Sequence, residues 1–141
     1  MKQILVGVDG SKEARDAVKL AEEIARATGS QLIIACAVPP VLPTEIAPEL
    51  MAQAEKWQRK EREQAKATVQ EIAASIGPGL SVETMVLDGA PAVSLAELAR
   101  SHEVELVVVG HRGRNAVARA LLGSVADRLV QISPRPVLVV R

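Results

Sequence analysis

An open α/β fold, with five parallel strands and helices on both faces of the sheet, follows from three features of the sequence. Short β-branched runs alternate strictly with longer segments of helical periodicity, and strand–helix–strand crossovers of that kind build parallel sheets. Four of the five runs are apolar at nearly every position, as strands covered on both faces must be. The chain has 141 residues, about the size of one domain and too few for two separate cores, so residues 1–141 are read as a single domain.

Lys2 to Asp9 (KQILVGVD) reads as the first strand, broken by Gly10. Ser11 then opens a helix to about Thr28, with a hydroxyl N-cap, acids in the first turn, one apolar face through Ala14, Val18, Ala21, Ile24 and Ala25, and Gly29 as the stop. Gln31 to Val38 (QLIIACAV) is the second strand, ended by Pro39-Pro40. A Pro-rich loop runs to Pro48 and feeds a long helix from about Glu49 to Ile76, whose expected buried side carries Leu50, Ala54, Trp57, Ala65, Val69, Ile72 and Ile76. Gly77-Pro78-Gly79 ends it.

Leu80 to Leu87 alternates apolar and polar residues, which marks a third strand with one wet face and makes it the candidate for an edge. Asp88-Gly89-Ala90-Pro91 turns into a helix to about His102, with Pro91 near its first position. Glu105 to Val109 (ELVVV) is the fourth strand. After a Gly-bearing loop, Ser124 starts a helix to about Ile132, and Pro134 and Pro136 precede a fifth strand, Val137 to Val140.

Composition excludes several function classes. Hydrophobic residues at 48% exclude intrinsic disorder, and equal counts of 17 basic and 17 acidic residues remove a global attraction to nucleic acid or an anionic membrane. Trp57 is the only aromatic residue, which leaves no stacking platform for single strands. A lone Cys36 excludes a disulfide framework and a Cys-based zinc site, and fits a reducing compartment. The apolar run Ile4-Leu5-Val6 is soon cut by Asp9 and lacks a cleavable site, and no stretch approaches a membrane span, so the protein is expected in the cytoplasm. Charge is uneven along the chain, however. From Gly110 onward six arginines face one acid, Asp127, a net of +5 against −5 for the first 109 residues. A polyanionic ligand belongs at the C-terminal third.

In an open parallel sheet, ligands sit beyond the carboxyl ends of the strands where the winding reverses. The relevant segments are therefore Asp9-Gly10-Ser11, Val38-Pro39, Asp88-Gly89 and Gly110 onward. The last reads Gly110-His111-Arg112-Gly113, nine residues, then Gly123-Ser124. Glycines let backbone N–H groups approach phosphate oxygens, Ser124 adds a hydroxyl at a helix N-terminus, and Arg112 and Arg114 add charge. Singly, a glycine after a strand is ordinary turn chemistry, and Ser124 with Asp127 three residues on is an ordinary helix cap. Their coincidence with the local +5 on one sheet end favours a polyphosphate site.

These residues resemble the nucleotide-binding branch of the universal stress protein family, whose signature is Gly, two residues, Gly, nine residues, Gly, then Ser or Thr. Gly110, Gly113, Gly123 and Ser124 match it in full, and the likeness runs from the opening ILVGVDGS to the closing PRPVLVV. The resemblance implies a Rossmann-like five-stranded parallel sheet of order 3-2-1-4-5 and a homodimer joined through Val137, Leu138, Val139 and Val140. It implies that Asp9, with Val8 beside it, contacts adenosine, and that the backbone of Val38 meets adenine. Val109, Gly110, Arg112, Gly113, Gly123, Ser124 and Val125 match the segment that wraps ribose and phosphates. The implied ligand is ATP, with AMP and cyclic AMP as alternatives, and a divalent cation such as Mg²⁺ often accompanies the triphosphate.

Other candidates carry less. His111 has no partner carboxylate in its loop and is expected to be solvated; His102 is expected at the surface; Trp57 is expected to be partly packed; and the mixed charges of Glu55 to Lys66 read as a solvated face. The leading function is an ATP-binding regulatory module acting in stress response, and the alternative is a slow ATP hydrolase using the same cleft. Fast hydrolysis lacks support, since the chain has no Gly-Lys-Ser/Thr loop, no metal-binding cluster and no evident water-activating base. A phosphorelay receiver is set aside because Asp9 has no acidic neighbour and no Lys follows the fifth strand.

Overall fold

The first strand, β1 (Gln3–Gly7), is three buried residues flanked by two half-buried ones, and it occupies the centre of the sheet. The computed structural model describes residues 2–40, 47–113 and 122–141. After β1 come α1 (Lys12–Thr28), β2 (Gln31–Val38), α2 (Pro48–Ser75), β3 (Val82–Asp88), α3 (Pro91–Ser101), β4 (Val104–Gly110), α4 (Ser124–Ile132) and β5 (Val137–Val140). All strand pairs are parallel and the order is β3-β2-β1-β4-β5.

Successive strand residues point to opposite faces, so the apolar runs supply two cores at once. Ile4, Val6, Leu32, Ile34 and Val108 face α1 and α2, whereas Leu5, Ile33, Val107 and Val109 face α3 and α4 with Leu129 fully buried among them. The alternating third run lies at one edge, as its wet face requires, and β5 forms the other. Local signals act as the sequence dictates. Ser11 caps α1 by accepting from the Ala14 N–H at 3.1 Å, Gly29 closes it at φ 67°, and Pro91 opens α3.

Two expectations are corrected. Leu50 and Trp57, expected on the buried side of α2, are 55% and 53% exposed, while burial on this helix is confined to Ala65, Val69 and Ile72. The reason is length: 28 helical residues extend about 42 Å, but the 8 residues of β2 give only about 26 Å of strand to lie on. The second correction concerns α4. Gly123 is its N-cap, and Ser124 is its first residue and makes no side-chain cap.

Candidate functional site

The winding of the sheet reverses between β1 and β4, and a cavity of about 330 Å³ opens at their carboxyl ends. All ten residues singled out from the sequence line it. Val8 and Asp9 follow β1, Val38 ends β2, Val109 and Gly110 end β4 with Arg112 and Gly113 beyond, and Gly123, Ser124 and Val125 enter α4. Arg114, the second loop arginine, lies outside the described residues.

The turn after β1 is fixed by its own hydrogen bonds. Asp9 Oδ1 accepts from the Ser11 N–H at 2.9 Å, Gly10 takes a φ of 86° that other residues rarely adopt, and Ser11 then caps α1. The N-terminus of α1 is thereby held at the cavity. The signature glycines act differently, since none of Gly110, Gly113 and Gly123 is among the positive-φ glycines. Close approach is what requires them. A Cβ on Gly110 would stand 2.8 Å from the Glu13 carbonyl, where the end of β4 meets the first turn of α1. One on Gly113 would stand 2.7 Å from Asp9 Oδ2, and one on Gly123 3.0 Å from Arg112 Cα and 3.2 Å from the Gly113 nitrogen. Gly123 is buried, and its N–H donates to the His111 carbonyl at 2.6 Å. The two halves of the motif form one wall.

This end of the cavity is suited to anions. The first-turn amides of α4 keep their donors free of any side-chain cap, the helix dipole favours negative charge there, and Arg112 lines the same wall. The opposite end is lined by the small residues Ala35, Cys36 and Ala37 of β2 beside Val38, whose carbonyl accepts from the Gly89 N–H at 3.0 Å.

Glu61, Gln64, Ala65 and Thr68 of α2 form a further wall that sequence reasoning did not assign to the site: Glu61 and Gln64 fall in what reads as a solvated, mixed-charge face, and Ala65 was expected only to be buried. Their i, i+3, i+4, i+7 spacing was the available signal, masked by the charged residues between them. His111 is also corrected. It is half-buried and its Nδ1 lies 3.2 Å from the Val140 carbonyl. His102 is half-buried at the C-cap of α3, with Nδ1 3.0 Å from Ser101 Oγ. Among the described residues no three His, Cys, Asp or Glu side chains cluster as metal ligands, and no helix is long and apolar enough to cross a membrane.

Comparison with known proteins gives a consistent family. A family model described as the universal stress protein family matches residues 1–141. A universal stress protein of Methanocaldococcus jannaschii is 33% identical over 99% of this chain and 82% of its own length. Among solved structures, the universal stress protein UspA of Lactobacillus plantarum superposes with a TM-score of 0.84 at 28% identity, covering 99% of this chain and 97% of that one. A universal stress protein solved in complex with cAMP is 31% identical with a TM-score of 0.63, covering 99% and 96%.

Proposed function

The chain belongs to the universal stress protein family, and from that premise we propose that it is an adenine-nucleotide-binding regulatory protein with ATP as its ligand. One observation carries this reading. The split glycine motif, the end of β1 and the end of β2, far apart in sequence, line a single cavity at the switch point of the sheet. The related protein solved with cAMP supports an adenine nucleotide as the ligand class. Phosphates would lie against Gly110, Arg112, Gly113, Gly123 and Ser124, ribose beside Val8, Asp9, Val109 and Val125, and adenine at Val38 over the small residues of β2.

A Mg²⁺ ion fits as a companion of the phosphates rather than as a resident of the protein. Oxygen donors on the cavity wall within reach of such an ion are the Asp9 carboxylate, which lies between the ribose position and Gly113, and the Ser124 hydroxyl, and Mg²⁺ commonly takes one or two protein ligands with phosphate oxygens and water. The residues present bind and orient. Backbone N–H groups and Arg112 hold anionic oxygens, a role that binds phosphates without activating a water, and the reading is therefore of hydrolysis that is at most slow. Occupancy is the signal. The reading extends to a cytoplasmic homodimer joined through Val137 to Val140, whose apolar edge needs a cover. Calorimetry with ATP, ADP, AMP and cyclic AMP tests it: saturable binding of at least one is expected, and folded, ligand-free protein that binds none at millimolar concentration would refute it.

A further inference from the structure

His111 occupies the first variable position of the glycine motif, yet unlike its neighbours Gly110 and Arg112 it does not line the cavity. Its hydrogen bonds run elsewhere. The His111 N–H donates to the Val140 carbonyl at 2.8 Å, the Nδ1 of its ring approaches that same oxygen at 3.2 Å, and its own carbonyl accepts from the Gly123 N–H at 2.6 Å. A carbonyl oxygen can only accept, so in this contact Nδ1 is the donor. One residue thus joins three separate pieces of chain: the loop after β4, the entry to α4, and the last residue of the edge strand β5.

We propose that His111 is a positioning residue for the nucleotide, a pin that holds both halves of the glycine motif in their binding geometry by anchoring them to the end of β5. The proposal rests on the binding function assigned above. The side-chain bond matters because, past the β4–β5 ladder that ends at Gly110 and Val140, the His111 N–H is the one backbone tether of the loop to β5 among the described hydrogen bonds, and the ring adds a second. With two donors on one carbonyl both the backbone N–H and the side chain of His111 are anchored, and together with the bond from the Gly123 N–H to its carbonyl they order the motif before the ligand arrives, which lowers the ordering cost of binding. By the reciprocity of linked equilibria, a ligand that prefers the pinned loop must also stabilise the end of β5. Cavity occupancy is then felt at the sheet edge.

The test uses two substitutions of opposite character. His111→Asn places a side-chain N–H at nearly the position of Nδ1 and keeps the donor, whereas His111→Phe keeps a ring of similar size and loses it. The pin predicts that ATP affinity of the Phe variant falls by about fivefold, the worth of one ordinary hydrogen bond, while the Asn variant stays within about twofold of the parent. Simple ring packing predicts the reverse order and would overturn the proposal. Hydrogen exchange supplies a readout independent of affinity: in the Phe variant the amide of Gly123 exchanges faster than in the parent without ligand, and in the parent ATP slows exchange at residue 111. Unchanged exchange in the Phe variant, or equal affinity of all three proteins, would also overturn it. A parent that binds no nucleotide would instead bring down the assigned function itself, and the pin's role in binding with it.

Discussion

Replacing Gly113 by alanine separates ligand binding from folding more sharply than any other change in the motif. Its Cβ would stand 2.7 Å from Asp9 Oδ2, so the carboxylate must withdraw by about 0.7 Å to regain ordinary contact near 3.4 Å. The obstacle is the end of a side chain, which can rotate. Losing the Asp9 to Ser11 N–H bond would cost about 0.5–1.5 kcal/mol. Against it, alanine restricts the unfolded chain and contributes about 0.4–1 kcal/mol at a position without positive φ. The two nearly cancel, and the melting temperature of the ligand-free variant should stay within about 3 °C of the parent. Binding should not survive in the same way. The methyl group enters the wall assigned to phosphate and turns Asp9 away from the ribose, and affinity for ATP should fall at least tenfold, about 1.4 kcal/mol. Gly123→Ala is the contrast, because its neighbours at 3.0–3.3 Å are all backbone. The two halves of the loop must part, at an overpacking cost of about 1–3 kcal/mol, and the melt should drop by about 3–9 °C along with the loss of affinity. Thermal melts beside calorimetry decide. A folded Gly113→Ala protein with parental ATP affinity would refute the phosphate assignment, and a melt lowered by 10 °C or so would show that Gly113 serves the fold.

Three further outcomes follow from the same geometry. Steady-state phosphate release with Mg²⁺ should lie far below the enzyme median of about 10 per second, and turnover near that value would reveal a catalytic group unaccounted for. Val139→Lys on the half-buried edge strand β5 should yield monomer or aggregate in light scattering, whereas an unchanged dimer would place the interface elsewhere. Leu129→Ala removes the fully buried anchor of α4 and should cost about 2–5 kcal/mol in urea unfolding, with a smaller loss marking a site that collapses on itself.

The fold was legible because its signals are local. Apolar runs such as Ile4 to Val6 and Leu32 to Ile34, bounded by glycine and proline, announce doubly covered strands, and the wet alternation of Val82 to Leu87 announces an edge. The candidate site was legible where it lies at or just past a strand end, as at Asp9, Val38 and Gly110, since the winding rule aims those positions at the cleft. What escaped notice depends on contacts between distant segments. Nothing in the periodicity of α2 says how far β2 reaches beneath it, so Leu50 and Trp57 were placed on its buried side and Glu61 and Gln64 looked solvated. Nor does a glycine in sequence say whether it serves a left-handed turn or a close approach. Gly10 is the first kind, and Gly110 and Gly123, pressed against Glu13 and Arg112, are the second.

The central claim is that one cavity, at the carboxyl ends of β1, β2 and β4, receives an adenine nucleotide with its phosphates on the split glycine motif. Amide chemical-shift mapping during an ATP titration of isotope-labelled protein addresses it at the level of single residues. The account predicts saturable perturbations at Val8 and Asp9, at Val38, at Gly110 to Gly113 and at Gly123 to Val125, with those at the glycine motif reduced when adenosine replaces ATP. Perturbations centred on another surface, or a motif that responds equally to adenosine and ATP, would contradict it.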